Sequence, residues 1–439
     1  MASTSLCHAL LLVLLWRKYG RLFVTSLLVG LAPAVAFGIA DEIQTSRWQA
    51  TLISVVARQL SFHVEPGPSN AIRFPAAGPY DERLGYGRLE DFVERLEPEG
   101  YAISAQARMS PWLLALTDRG LFAPYREKSQ SGLELRGCRG EPIFAARFPE
   151  RAYERFDSVP RVLVDSVLFI EDHGLLETRS PTRNPAVEWD RFAGAIADQA
   201  LHLLDGGHPT PGASTLATQI EKYRHSREGR TESAREKLRQ MTSASLRAYL
   251  DGEDTRSHRQ QIVLDYINTV PLAAQAGFGE VNGLGDGLWA WYGRDISEID
   301  TLLANVREAA PRPLARLQAE GVAFKQALSL MIAERRPSYY LPGGEASLAD
   351  LTNSYLRLMA DAGIIPATLR DAALGARLKV LARSPQQPAP SFVDRKVASA
   401  LRGRLSNLLD VPRSYDLNRL DLVAGTAVDG DAQRAATRF

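Results

Sequence analysis

Residues 160–172 read PRVLVDSVLFIED, and the fold is read outward from them. Val162, Leu163, Val164, Val167, Leu168 and Ile170 recur at mixed helical spacing, which predicts a mostly buried helix. Pro160 suits its first turn, where a missing N–H leaves no bond unmade. Glu171-Asp172 closes the apolar run. A carboxylate at such a place is partly desolvated, which favours its neutral form and suits a general base near neutral pH. Acid pairs of this kind also commonly do no more than mark where a buried helix surfaces.

Downstream, Pro211-Gly212-Ala213-Ser214-Thr215 is a small-residue turn running into the helical pattern Leu216–Lys222. Ser214 or Thr215 can cap that helix, and Gly212 lets backbone approach a ligand closely. Free N–H groups at a helix start attract anions, and Lys222 lies two turns along. A further helix is expected from about Glu232 to Leu250, with Leu238, Met241, Tyr249 and Leu250 facing the core. Arg235, Arg239, Ser243 and Arg247 recur every four residues on its other side, either a solvated basic face or one turned to a pyrophosphate. Arg259–Asn268 begins another helix. The glycines from Gly277 to Gly287 form no phosphate-binding loop, because no Gly-Lys-Ser/Thr follows them and no dinucleotide-fold strand and helix flank them.

Composition bounds the class. At about 150 residues per domain, 439 residues suggest roughly three domains. With 45% hydrophobic residues the chain can build a sizeable core, which excludes a disordered tail. Lys and Arg number 52 against 51 Asp and Glu, so the net charge of +1 points to no nucleic-acid partner. Cys7 and Cys138 are too few for a disulfide framework or a thiolate-only zinc site. Leu22–Ala40 is uncharged and would span about 28 Å as a helix, enough to cross a bilayer. Arg17, Lys18 and Arg21 precede it, which keeps residues 1–21 cytoplasmic and sends the rest outward across the inner membrane. A cleavable signal ending near Gly38-Ile39-Ala40 is the rival reading.

Residues 41–135 are punctuated by prolines and read as an extracytoplasmic pre-domain or stalk. Gly137–Phe148 reads as a strand or hairpin, and the pattern is helical from Pro160 to about residue 380. Residues 384–390 (SPQQPAP) are a linker by composition, and Leu420–Asp429 looks like a strand.

Taken in order, these pieces resemble the glycosyltransferase domain of class A penicillin-binding proteins and monofunctional peptidoglycan glycosyltransferases, over about residues 137–380. Ile170-Glu171-Asp172 fits the family's first motif, with Leu175 replacing its aromatic residue and Thr178 its histidine. Gly212, Ser214, Thr215, Gln219 and Lys222 match the second. Arg239 and Gln240 align with the arginine and lysine of the third, and Ser243 stands where its glutamate is. Ile262–Asn268 is similar to the fourth, with Asp265 displaced by one position. Trp291-Tyr292-Gly293 and Pro337-Ser338-Tyr339-Tyr340 resemble later landmarks.

The fold implied is mainly α: a lysozyme-like helical lobe over 136–382 with a small α/β pre-domain and an N-terminal transmembrane helix. A membrane-dipping jaw would lie between Thr178 and Pro211, and 383–439 would form a linker and a truncated C-terminal segment. The activity implied is polymerisation of lipid II into a growing glycan strand, with inversion at the donor anomeric carbon and release of undecaprenyl pyrophosphate. Glu171 would be the base. Asp172, Gly212, Ser214, Thr215, Gln219, Lys222, Arg239, Ser243, Arg247 and Asn268 would hold substrate. Leaving-group charge needs fixed donors or a divalent cation such as Mg, and the motifs do not decide between them. Membrane lipid and other cell-wall synthesis proteins are the remaining partner classes. Serine cannot carry the charge of the third-motif glutamate. Three readings follow: an active transferase with a rearranged second acid, a weakened lipid II-binding scaffold, or a lysozyme-like hydrolase. No Lys follows a Ser by three residues and no Lys-Thr-Gly occurs, so serine transpeptidase motifs are absent.

Overall fold

A computed structural model describes residues 33–75, 78–177, 179–187, 214–308, 312–386 and 392–436. The protein is mainly helical. Helical backbone over 33–45 leads into α1 (Arg47–Ala57), followed by β1 (Phe62–Pro66), α2 (Pro79–Leu84), α3 (Leu89–Leu96), β2 (Ala105–Met109) and α4 (Pro111–Asp118). Next come β3 (Leu133–Arg136), β4 (Pro142–Ala145), α5 (Arg161–Glu171), α6 (Leu216–His225), α7 (Ala234–Ala248) and α8 (Arg256–Thr269). The hairpin β5 (Pro271–Gln275) and β6 (Gly279–Asn282) precedes α9 (Gly283–Tyr292) and α10 (Ile296–Leu303). Then follow α11 (Leu314–Ala333), α12 (Glu345–Asp361), α13 (Ala367–Gly375), α14 (Phe392–Leu409) and β7 (Leu422–Gly425).

Three apolar clusters hold these elements. The largest joins α5, α6, α8, α9, α11, α12 and α13 through side chains such as Leu163, Ile220, Val263, Leu288, Phe324 and Leu356. A second packs Ala50, Ala57 and Leu113 of α1 and α4 against Leu246 and Tyr249 at the end of α7. The third lies on the sheet β4–β3–β7, where Leu133 and Leu135 meet Phe92, Leu409 and Leu417. In that sheet β7 pairs parallel with β3, Leu133 opposite Leu422 and Arg136 opposite Gly425, so the C-terminal stretch closes back on residues far upstream.

The helical expectation from 160 to 380 is corrected at 271–282, where β5 and β6 intervene. Pro271 has no N–H to continue α8, and Gly277 and Gly279 turn the chain at φ +83° and +97°. The glycines that follow serve close packing. A Cβ on Gly283 would lie 2.1 Å from the Asn268 carbonyl, and one on Gly285 would lie 2.2 Å from the Arg151 carbonyl. Among the described residues no helix is long and apolar enough to cross a membrane. Residues 22–32 of the expected span lie outside them, as does the expected jaw apart from 179–187.

A buried charge cluster ties the pre-domain to α6 and α7. The Glu127 side chain, 2% exposed, accepts from His225 Nε2 at 2.6 Å, Arg224 Nη1 at 2.8 Å and Arg247 Nη2 at 2.9 Å. Asp81 of α2 takes His225 Nδ1 at 2.9 Å, and Glu221 takes Arg247 Nε at 2.8 Å. Burial alone would push the His225 pKa down. The Glu127 charge and the bonds to Asp81 and Glu127 outweigh it, raising the value from 6.5 to about 10. Glu127 is likewise driven upward by burial, but the three cations hold it well below the usual carboxylate range.

Removing one partner leaves the others buried and uncompensated. Glu127→Ala is expected to cost about 3–5 kcal/mol of stability, read as the shift in a chemical denaturation curve. A loss within about 0.5 kcal/mol, the level of an ordinary surface change, would show that the cluster is not structural. His225 gains its proton's stabilisation in the fold, so that contribution is complete below pH 6.5 and fades as pH rises through about 10. Thermal unfolding should therefore show a midpoint falling over that window, and the fall should be smaller in His225→Gln.

Candidate active site

Glu171 is the last residue of α5, whose Val162, Leu163, Val164 and Val167 are buried in the main core. That packing fixes where the helix ends and where its terminal carboxylate emerges. Arg259 of α8, 1% exposed, holds the chain just beyond, donating to the carbonyls of Leu175, Glu177 and Ser180 at 2.8–3.1 Å. Leu175 is buried in the core. Gln219 of α6 donates from Nε2 to Glu171 Oε2 at 2.8 Å, and this bond brings the first two motifs together.

α6 begins at Thr215 through a reciprocal cap. Thr215 Oγ1 accepts the Thr218 N–H at 3.3 Å, and Thr218 Oγ1 accepts the Thr215 N–H at 3.0 Å. With Thr215 as cap, Ser214 is left to accept from Lys237 Nζ of α7 at 2.7 Å, and the same ammonium lies 3.4 Å from Thr218 Oγ1. Burial first, and the nearby Lys222 charge second, pull the Lys237 amine down to about 8. Lys237 thus sits at the start of α6 and feels the charge of Lys222 farther along the same helix. Gly212 lies outside the described residues.

A second carboxyl lies near enough to Glu171 to feel its charge. Glu334, half-buried immediately after α11, is pushed up to about 7 by burial and by the Glu171 charge, with Lys222 and Arg335 opposing. Tyr266 of α8 is 2% exposed, and its hydroxyl makes no hydrogen bond among the described residues. Burial, then the charges of Glu334 and Glu171, raise its pKa well above the ordinary value.

The structure thus gathers Glu171, Ser214, Thr215, Gln219 and Lys222, and adds Lys237, Glu334 and Tyr266. Asp172 caps α5 at 2% exposure. Arg239, Ser243, Arg247 and Asn268 lie elsewhere. Arg239 pairs with Glu236 at 3.2 Å and sits 5.4 Å over the Phe122 ring. Ser243 is fully buried and accepts the Phe122 N–H at 3.1 Å, so the pre-domain covers this face of α7. Arg247 belongs to the Glu127 cluster and also donates to the Tyr125 carbonyl. Asn268 brackets Tyr153, accepting its N–H at 2.9 Å and donating to its carbonyl at 2.8 Å. Glu221 is held by Arg247, one turn along α7 from Ser243, and Asp265 by Arg224 of α6.

The four-residue spacing of the arginines shows which of them share a face, not which face meets α6. Lys237 precedes Arg239 by two residues and so points about 200° away around α7. Glu334 carries a signal the sequence did show, a carboxylate ending the apolar run Ala327–Ala333, as Glu171 ends its own. Among the described residues no three His, Cys, Asp or Glu side chains form a metal-holding group.

A family model described as transglycosylase matches residues 140–360, just over half the chain. That range contains every residue of the cluster. No curated protein matches the chain.

The lowered Lys237 pKa has a direct readout. Lys237 is expected to be acylated early by an amine reagent at pH 8, with a rate profile inflecting near that pH in peptide-resolved mass spectrometry. An inflection above pH 10, where ordinary lysines titrate, would mean that Lys237 does not feel Lys222 or burial.

Proposed function

Because the chain belongs to the transglycosylase family, we propose that it polymerises lipid II, with Glu171 as the general base and the Lys222–Lys237 pair at the departing pyrophosphate. The observation carrying this reading is the Gln219–Glu171 bond, which puts a carboxylate and a lysine-flanked helix start in one site. Glu171 takes the proton of the acceptor 4-hydroxyl as that oxygen attacks the donor anomeric carbon. The bond to the pyrophosphate oxygen breaks on the opposite face, giving inversion. Charge grows on that oxygen, and Ser214, the first N–H groups of α6 and the two ammonium groups stand ready to receive it. Such preset donors are each worth about 10²–10³ in rate in other enzymes.

Gln219 orients the base through its amide. Glu334 is the rearranged second acid in this reading. Near neutral pH it exchanges its proton easily, so the site holds an adjustable charge beside the base. An anchor over 22–40, an extracytoplasmic lobe over 136–382, with 41–135 before it and 383–439 after it, suit a lipid-linked substrate. The lysozyme-like description of the lobe belongs to the same proposal.

Purified full-length protein in detergent or vesicles is expected to convert lipid II into glycan strands, and Glu171→Gln to abolish this while lipid II still binds. Binding without polymer in the unaltered protein favours a scaffold, and digestion of finished peptidoglycan favours a hydrolase. Glu334→Gln should remove a step in the polymerisation rate centred near pH 7. Persistence of that step in the variant assigns it to another group.

A further inference from the structure

A cavity of about 1030 Å³ opens where three distant parts of the chain meet. Arg83 of α2 lines it from the pre-domain. Tyr223 and Arg227 line it from the end of α6 and the turn beyond, Glu280 from β6, and Tyr415 and Arg419 from the C-terminal stretch. None of Glu171, Gln219, Lys222, Lys237 or Glu334 borders it.

Its walls hold a buried guanidinium whose hydrogen-bond donors the protein leaves partly unpaired. Arg419 is 2% exposed, and only Nη2 finds an acceptor, the Glu280 carbonyl at 3.1 Å. Its Nε and Nη1 are buried without a hydrogen-bond partner among the described residues. The Tyr415 and Phe148 rings lie 3.7 and 4.5 Å from the guanidinium and fix its plane. The Tyr415 hydroxyl is already engaged with the Glu280 N–H at 2.8 Å. Arg83 makes no side-chain hydrogen bond or ion pair among the described residues. Acids also line the space: Asp416 is paired with Arg413 at 2.6 Å and Glu228 with Arg230 at 4.0 Å, while Glu82 and Glu280 are in ion-pair contact with neither Arg83 nor Arg419. Arg83 is half-buried, whereas Arg419 is buried; buried charged donors are normally satisfied, and the two orphaned donors of Arg419 facing a cavity need a physical reason.

We propose that this cavity is a binding site for a multivalent oxyanion, a phosphorylated or polycarboxylate molecule, bridged between Arg83 and Arg419 with Arg227 contributing from the same wall. Planar guanidinium forks match carboxylate and phosphate oxygens in pairs, which a single ammonium does not. The volume admits a ligand well beyond a lone ion. Burial lowers both guanidinium pKa values, that of Arg419 to about 10; the Glu280 charge opposes the shift at both, and at Arg419 the neighbouring Arg83 charge adds to it. The ligand would touch the pre-domain, the transglycosylase region and the C-terminal stretch at once. Its binding would therefore stabilise that three-way junction by mass action.

The test uses the full chain with Lys222→Met, so that anion binding at the catalytic cluster does not confuse the readout. Inorganic pyrophosphate and citrate are titrated separately by calorimetry at constant ionic strength, with thermal shift in parallel. Saturable one-to-one binding of at least one probe is expected, with a rise in Tm. Pyrophosphate alone identifies a phosphate ligand, and citrate alone a carboxylate one. Adding Arg83→Gln should weaken binding about tenfold or more without lowering the unliganded Tm. Arg227→Gln is the second variant, for use if the first fails to fold. Absence of saturable binding by both probes, or unchanged affinity in a folded Arg83→Gln or Arg227→Gln protein, overturns the proposal.

Discussion

The Glu127 carboxylate is the contact on which the rest of the structure depends. It gathers Arg224, His225 and Arg247 from two helices, and all three are nearly or fully removed from water. Without it those cations would repel one another in a dry interior, and the phase of α6 against α7 would lose its central contact. Glu127 comes from the segment preceding the helical lobe, and Asp81 of α2 completes the grip on His225. The upstream region is thus wired into the helices that build the site. Buried ion clusters add little net stability compared with apolar packing, but they tolerate few alternative registers.

α6 shows how that constraint reaches the chemistry. Gln219 and Lys222 act toward Glu171 and Glu334, while Glu221, Arg224 and His225 enter the clamp. Because the helix is rigid over ten residues, fixing one side fixes the other. The hydrogen bond from Gln219 to Glu171 follows from that phase together with the buried end of α5. The same geometry accounts for two residues that carry no charge. Ser243 is small and buried because Phe122 of the upstream segment lies over it. Leu175 is apolar because it enters the core, with its carbonyl held by Arg259.

Part of this was legible in the residues alone. The apolar run before Glu171 located the helix and its terminal acid, because hydrophobic spacing depends only on the chain. The turn before Leu216 likewise announced its own cap, and Thr215 supplies it. Glu334 carries the same mark as Glu171, but no motif frames it. The hairpin at 271–282 was hidden in a helical pattern whose only warning was Pro271 and the glycines after it.

By itself, then, the sequence determined the mainly helical class, the order of the motifs and the positions of Glu171, Gln219 and Lys222, since local periodicity, capping and spacing are properties of neighbouring residues. Tertiary structure alone decided which cations serve the site. Arg239 and Arg247 share a face of α7 with Ser243, and the upstream segment claims that face, whereas Lys237 on the other side reaches Ser214. It also decided that Glu334 meets Glu171, and that Arg83 and Arg419 line one cavity from opposite ends of the chain. The reason is physical: a charge's role depends on what surrounds it in space, and those neighbours come from segments no local pattern connects.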